Sequence, residues 1–330
     1  MNTFAEAATE FWRAIVSAIT SPGLDVRVGL TAVATLAAPL ASFLIRRRVG
    51  VFATSANGTS VAVMVAVALS SGCATTSNEQ GAPPPNTALD DQPPRIVSAF
   101  FGLDDALPMR AARICLEAPG ADGMPVTFSR RVVGSGFRDA EVSASAFTVI
   151  TRSGAHKTPA CATLAPAIES SERHTVLLVG DLGDATDDPP VRVEVIDSLP
   201  LAYGADGRGL AVEVTPLEGG PTLVLAMGFG VEGLQSDCPP SAKQTVVVVW
   251  AGGVQPAEAA SDHDHRGIYR VTTGEGDVVP FALGDLDDQD NYVHLCLDTD
   301  APATRVSASG GVLVDPRGDL NPETWLDVVR

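Results

Sequence analysis

From about residue 95 onward, the hydrophobic positions fall in short runs. VRVEVI, starting at Val191, alternates apolar and polar side chains, the period-two pattern of a strand with one wet face. TVLLVG from Thr175 and TVVVVW from Thr245 are apolar with little interruption and predict buried strands, and LAVEV from Leu210 and TLVLAM from Thr222 add two more. Gly, Pro, Asp or Asn bounds each run, and no amphipathic stretch of a dozen residues lies between them. Short strands closed by turns, without crossover helices, predict an all-β chain of antiparallel sandwiches in place of βαβ units.

The first quarter has a different pattern. FAEAATEFWRAIVSAI, residues 4–19, has apolar positions at helical spacing and stops at Ser21-Pro22-Gly23, so a short amphipathic helix is expected there. VGLTAVATLAAPLASFLI, from Val28 to Ile45, carries no charge and reaches the ~17 to 25 residues that a bilayer span needs. Arg46, Arg47 and Arg48 follow, and then a second apolar run, Val61 to Leu69, ends in Ser70-Ser71-Gly72-Cys73. A basic segment, an apolar segment and small residues are the parts of a secretory signal, here measured from Arg46. The alternative is a hairpin of two transmembrane helices, whose second member is interrupted by Ser55, Asn57, Thr59 and Ser60. In both readings the arginines stay on the cytoplasmic side and everything after Cys73 is exported. Residues 73–94 are rich in Pro, Gly and small polar side chains and read as a flexible linker.

An internal echo divides the remainder. TVLLVGDLGDATDDPPVRVEVIDSLP from Thr175 returns as VVPFALGDLDDQDNYVHLCLDTDAP from Val278, with Gly180-Asp181-Leu182 recurring as Gly284-Asp285-Leu286. IVSAFFGLDDALPMRAARICLE from Ile96 is matched in the same way with LAVEVTPLEGGPTLVLAMGFG from Leu210. A repeat of a little over one hundred residues is about the size of one sandwich. Modules are therefore expected at 95–203 and 207–330, after an N-terminal membrane or signal region at 1–72.

Charge narrows the partners. The chain of 330 residues has a formal net charge of −18. Residues before Cys73 contribute five Arg against Glu6, Glu10 and Asp25, so the remainder carries −20. Such an acidic surface repels phosphate backbones and excludes a nucleic-acid partner. The cysteines fit an oxidising compartment. Setting Cys73 aside, Cys115 and Cys161 fall in one expected module and Cys238 and Cys296 in the other. Pairing within modules would add about 3 to 4 kcal/mol per bridge, although four cysteines allow three connectivities.

Two resemblances add to this reading. The run ending in Ser71-Gly72-Cys73 resembles a bacterial lipoprotein signal, with Ser70 at the position where that family prefers Leu. The resemblance implies cleavage before Cys73, lipidation of Cys73 and anchoring in the cell envelope, with Ala74 pointing to the outer membrane. The later chain resembles the tandem β-sandwich repeats of unknown function found in exported bacterial proteins and myxobacterial lipoproteins. The opening from Ile96 to Glu117, the run Val176 to Leu182 and the strand Val191 to Ile196 carry that likeness, while Phe101 to Ala106 depart from the family's usual turn. It implies two immunoglobulin-like sandwiches and no particular chemistry.

Candidate chemistry is sparse. GFGVEG, Gly228 to Gly233, matches G-x-G-x-x-G after an apolar strand, but Pro239-Pro240 stop any helix that would meet a pyrophosphate, so no nucleotide cofactor is expected. Asp262, His263, Asp264 and His265 bring four potential metal ligands together, yet adjacent residues of an extended chain point in opposite directions and at most two could share one ion. The run Asp285 to Asn291 lacks the glycine and the terminal Glu of an EF-hand loop, and Arg317-Gly318-Asp319 reads as a turn. The expectation is a non-catalytic envelope lipoprotein that binds, adheres or spaces, with a protein or glycan ligand and no cofactor. The alternatives are a periplasmic metal-dependent enzyme using Asp262 to His265, and a helically anchored membrane protein with the same exported part.

Overall fold

The computed structural model describes residues 92–136, 140–169, 171–230, 238–257, 265–284 and 290–330. The amphipathic helix, the apolar segments, Cys73 and most of the linker lie outside the described residues. Among the described residues no helix is long and apolar enough to cross a membrane.

The described residues are all-β, and their sheets form two antiparallel sandwiches. The first contains β1 (Ile96–Ala99), β2 (Asp122–Phe128), β3 (Glu141–Val142), β4 (Phe147–Thr151), β5 (His156–Lys157), β6 (Cys161–Thr163), β7 (Thr175–Gly180), β8 (Pro190–Val195), β9 (Pro200–Leu201), β10 (Ala205–Asp206) and β11 (Ala211–Glu213). One sheet runs β1-β2-β7-β6-β3 and the facing sheet runs β11-β8-β4-β5. The second sandwich contains β12 (Leu223–Gly230), β13 (Gln244–Trp250), β14 (Gln255–Pro256), β15 (Tyr269–Thr273), β16 (Gly276–Val278), β17 (Ala282–Gly284), β18 (Tyr292–Leu297), β19 (Ala303–Ala308), β20 (Leu313–Val314) and β21 (Thr324–Asp327). Its sheets run β12-β13-β18-β17 and β16-β15-β19-β21.

Both orders reduce to one plan, the ABED sheet facing the C′CFG sheet of an immunoglobulin-like sandwich. Strands A, B, E and D are β1, β2, β7 and β6 in the first copy and β12, β13, β18 and β17 in the second. Strands F and G are β8 and β11, then β19 and β21. The two F strands share one burial pattern, with Arg192 and Arg305 at the same exposed position.

This plan corrects the expected repeat. The strand at Ala211–Glu213 pairs with β8 and is the last strand of the first sandwich, whereas the sequence reading opened the second module with it. Val214 and Leu217 are also in the first core, so the first sandwich extends well past residue 203. The Gly-rich stretch around 204–209 is the turn between F and G, and glycine in a turn carries no mark of whether it joins strands or domains. The echo likewise matched the wrong strands, since Thr175–Gly180 is strand E while Ala282–Gly284 is strand D. The corresponding F strands, starting at Pro190 and Ala303, lie 113 residues apart.

Each sandwich closes on its own apolar core. Met124, Val126, Phe128, Phe147, Val176, Leu178 and Val193 fill the first, and Val246, Val248, Trp250, Val271, Val293, Leu295 and Val306 fill the second. A buried polar side chain at the start of each B strand ties down the connection between E and F. Asp122 accepts from the backbone N–H of Leu182 at 2.7 Å and of Asp105 at 2.8 Å. Gln244 donates to the carbonyls of Thr299 and Ala301, both at 2.7 Å, and accepts from Ala303 N–H. Burial raises the Asp122 carboxyl above its ordinary value, and the two amide hydrogen bonds oppose that shift.

Candidate functional site

Buried ionisable and polar side chains converge where the two sandwiches meet. Strand β13 is buried along its whole length, and the pattern of its neighbours explains why. Val246, Val248 and Trp250 point into the second core, while Val247 and Val249 join Leu225, Met227, Tyr292 and Ala167 in a separate cluster on the outer face of the sheet. Ala167 belongs to the first sandwich, so the outer face of the second ABED sheet is covered by its neighbour. Phe100, at the end of β1, is fully buried there, and a Cβ added to Gly252 would stand only 3.0 Å from its ring.

Polar groups ring this apolar contact. Tyr292 Oη accepts from the His174 N–H at 3.1 Å and shares a hydrogen bond of 3.1 Å with Thr175 Oγ1. Asn291 Nδ2 donates to Thr175 Oγ1 at 3.3 Å and to the Trp250 carbonyl at 2.7 Å. The His174 ring meets the Phe128 carbonyl at 3.0 Å through Nδ1, so that nitrogen carries the proton and donates. Burial drives His174 down to about 4, with the Phe128 hydrogen bond opposing and Arg131 adding to the shift, so the ring is neutral at physiological pH. Burial also pushes the Tyr292 phenol well above its ordinary value. Glu172 and His294 form a pair at 3.1 Å with side chains 0 % and 3 % exposed.

Ser171, Glu172, His174 and His294 are the residue types of acyl transfer, but their arrangement does not serve it. A nucleophile must touch its base and meet a substrate. Ser171 Oγ is buried without a hydrogen-bond partner among the described residues, and all four residues are at most 5 % exposed. What the cluster does is geometric. A buried carboxyl–imidazole pair adds little net stability, yet any docking that leaves one member without the other strands a buried polar group, at a cost.

A second candidate is on the surface. On the outer face of the β16-β15-β19-β21 sheet, Arg305 binds Asp327 Oδ1 through Nε at 2.9 Å and Nη2 at 2.8 Å, and its guanidinium stacks 4.1 Å from the Trp325 ring centroid. Trp325 is 55 % exposed, which is unusual for the largest apolar side chain. Strand pairing sets Trp325 opposite Ser307 and Ala211 opposite Glu194, so the first sandwich has alanine at the matching place.

The residues singled out from sequence are scattered. Asp262, His263 and Asp264 lie outside the described residues, and His265 opens a 3-10 turn, His265–Ile268. Among the described residues no group of three or more His, Cys, Asp or Glu could hold a metal ion. Gly228 and Gly230 of the glycine motif are inside β12, hydrogen-bonded in register to β13, and Gly233 lies outside the described residues. Asp315 Oδ1 accepts from the N–H groups of Arg317 and Asp319, which makes Arg317-Gly318-Asp319 a local turn. Cys238 and Cys296 are joined in a disulfide. Cys115 and Cys161 are free thiols, in hydrogen-bonding contact with each other.

Sequence reasoning passed over the junction. Its signal was the strand YVHLCL, in which Val293, Leu295 and Leu297 face the core and Tyr292, His294 and Cys296 the other side. Tyr, His and Cys at the alternate positions, where VRVEVI has Arg and Glu, are residue types that other protein covers more readily than water. Comparison with family models, curated proteins and solved structures found no match.

Proposed function

We propose that this chain is an exported cell-envelope lipoprotein without a catalytic role, in which two immunoglobulin-like sandwiches act as one stiff binding or spacer element. The observation that supports it most is the sealed junction. The side chains best equipped for chemistry are spent on holding two sandwiches in a fixed relation, and a fixed relation is what a spacer or presenting module requires. The exposed Trp325, backed by Arg305 and Asp327, gives the second sandwich a rigid aromatic contact for a protein or glycan ligand. Anchoring rests on Cys73 and export on the arginines at 46–48.

The test is fatty-acid labelling of the full chain in a Gram-negative host. A labelled membrane protein whose mature chain starts at Cys73, and loss of the label in Cys73→Ser, is the expected result. An unlabelled chain that keeps residues 1–72 would replace the lipoprotein with a helically anchored protein.

A further inference from the structure

The two sandwiches place a cysteine at the same architectural point, in the connection between strands A and B, over the outer face of the ABED sheet. In the second sandwich this is Cys238, joined to Cys296 on strand E. In the first it is Cys115, which packs with Leu107, Ala111, Ala118 and Val179 on the outside of the sheet. Cys161 joins that cluster from strand D. Strand pairing makes the correspondence specific. Cys161 stands opposite Val179, and Ala282 stands opposite Cys296, so the sheet cysteine of the first sandwich has moved one strand sideways while the loop cysteine has kept its role.

We propose that Cys115 and Cys161 are a thiol–disulfide exchange site, which closes by reaction with a small-molecule disulfide into a second bridge clamping the β1–β2 connection to the sheet. Cys161, the more exposed of the two, loses its proton and attacks one sulfur of the incoming disulfide, expelling a thiolate and forming a mixed disulfide. Cys115 then gives up its proton and attacks the Cys161 sulfur, which forms the internal bond and expels the second thiolate. The two cysteines lose two electrons, the external disulfide gains them, and the two released protons go to its two thiols. Reduced thiols run the sequence backward. Burial and the Cys115 thiol push Cys161 up to about 12, so thiolate is scarce at neutral pH and uncatalysed closure speeds up about tenfold per pH unit between 7 and 9. Cys296 and Cys115 are buried while Cys161 and Cys238 are each partly exposed, so each pair offers one sulfur to an incoming thiol or disulfide. The site acts independently of whether Cys73 is lipidated.

The experiment uses the full chain carrying Cys73→Ala, so that only this thiol pair is open. Protein exposed to reduced glutathione should take up two iodoacetamide groups by intact mass. After equilibration with oxidised glutathione at pH 8.5 it should take up none, weigh two hydrogens less and be cut at least tenfold more slowly by protease within residues 102–121. Millimolar reduced glutathione without denaturant should then restore alkylation of Cys115 and Cys161, located by peptide mass. Cys161→Ala, which copies Ala282 at the matching position, should show no closure and a single alkylation site. Two thiols still alkylated after oxidation, or glutathione adducts without internal closure, would each overturn the proposal. Should the variant fail to fold, the alkylation count of the parent chain decides the matter alone.

Discussion

The two sandwiches share strand order, a polar clamp on strand B and an arginine on strand F, but they cover the outer face of the ABED sheet in different ways. The first folds its own A–B connection across that face, where Leu107, Ala111, Cys115 and Ala118 pack on Val179. The second has the part of its face around Val247, Val249 and Tyr292 covered by the first, through Ala167 and the polar ring of Glu172, His174 and Thr175, while its own A–B connection reaches the face at Cys296 through Cys238. A sheet face rich in Val and Leu must be buried somehow, and a loop of the same domain or the surface of another satisfies the same hydrophobic demand. The difference shows where a repeat becomes an assembly. The second copy buries part of its sheet face against its neighbour.

That dependence can be broken most directly at Glu172. Glu172→Ala leaves His294 buried without its carboxylate and should cost about 3 to 5 kcal/mol, whereas Glu172→Leu combined with His294→Leu should cost far less. Urea denaturation of the single and double variants measures both, and equal losses would mean that the pair does not act as a unit. Denaturation of the parent chain should also follow one transition by tryptophan fluorescence, from Trp12, Trp250 and Trp325, and by circular dichroism.

Acid should loosen the junction next. The folded His174 holds out against protonation until about pH 4 while the unfolded chain takes the proton near 6.5, so stability is full above 6.5 and falls progressively between 6.5 and 4. The difference amounts to about 3 kcal/mol. A urea midpoint that drops from pH 7 to pH 4.5 in the parent, and drops less in His174→Gln, is the expected result. Identical slopes would assign the acid sensitivity to other groups.

The linker offers a smaller effect. Gly220 lies between the sandwiches at φ 59°, and a Cβ there would stand 2.5 Å from the Leu320 carbonyl oxygen. Gly220→Ala should destabilise by about 1 to 3 kcal/mol through strain. The same substitution at Gly204, where φ is 71° and a Cβ meets nothing within 4 Å, separates backbone strain from collision. Smallest of all is Trp325→Ala, expected to change stability by less than about 1 kcal/mol because the ring is exposed and its cation–π partner keeps Asp327. Its effect should appear in ligand capture alone, measured on a glycan and protein array.

Much of this was legible in the sequence. Strand runs bounded by Gly, Pro and Asp marked β7, β8, β12 and β13 and pointed to antiparallel sandwiches, while the resemblance to the tandem repeats implied their immunoglobulin type. The boundary was not legible. LAVEV alternates like any half-buried strand, and nothing local distinguishes the last strand of one domain from the first of the next. The candidate junction was legible only in part. TVVVVW implied cover on both faces, but its partner, Ser171 to Thr175, is a short polar turn that reads like any other loop.

By itself the sequence determined what local physics controls: the all-β class through period-two and apolar runs, the turns through Gly and Pro, the acidic surface through net charge, and the pairing potential of Cys238 and Cys296 through their number. Only the tertiary structure decided which copy owns the strand at Ala211–Glu213, and that Glu172 and His294 meet in the dry contact between domains. Those outcomes depend on contacts between residues more than a hundred positions apart or on hydrogen-bond partners chosen among similar strands. Such choices are set by shape and burial across the whole molecule, which no single stretch of sequence encodes.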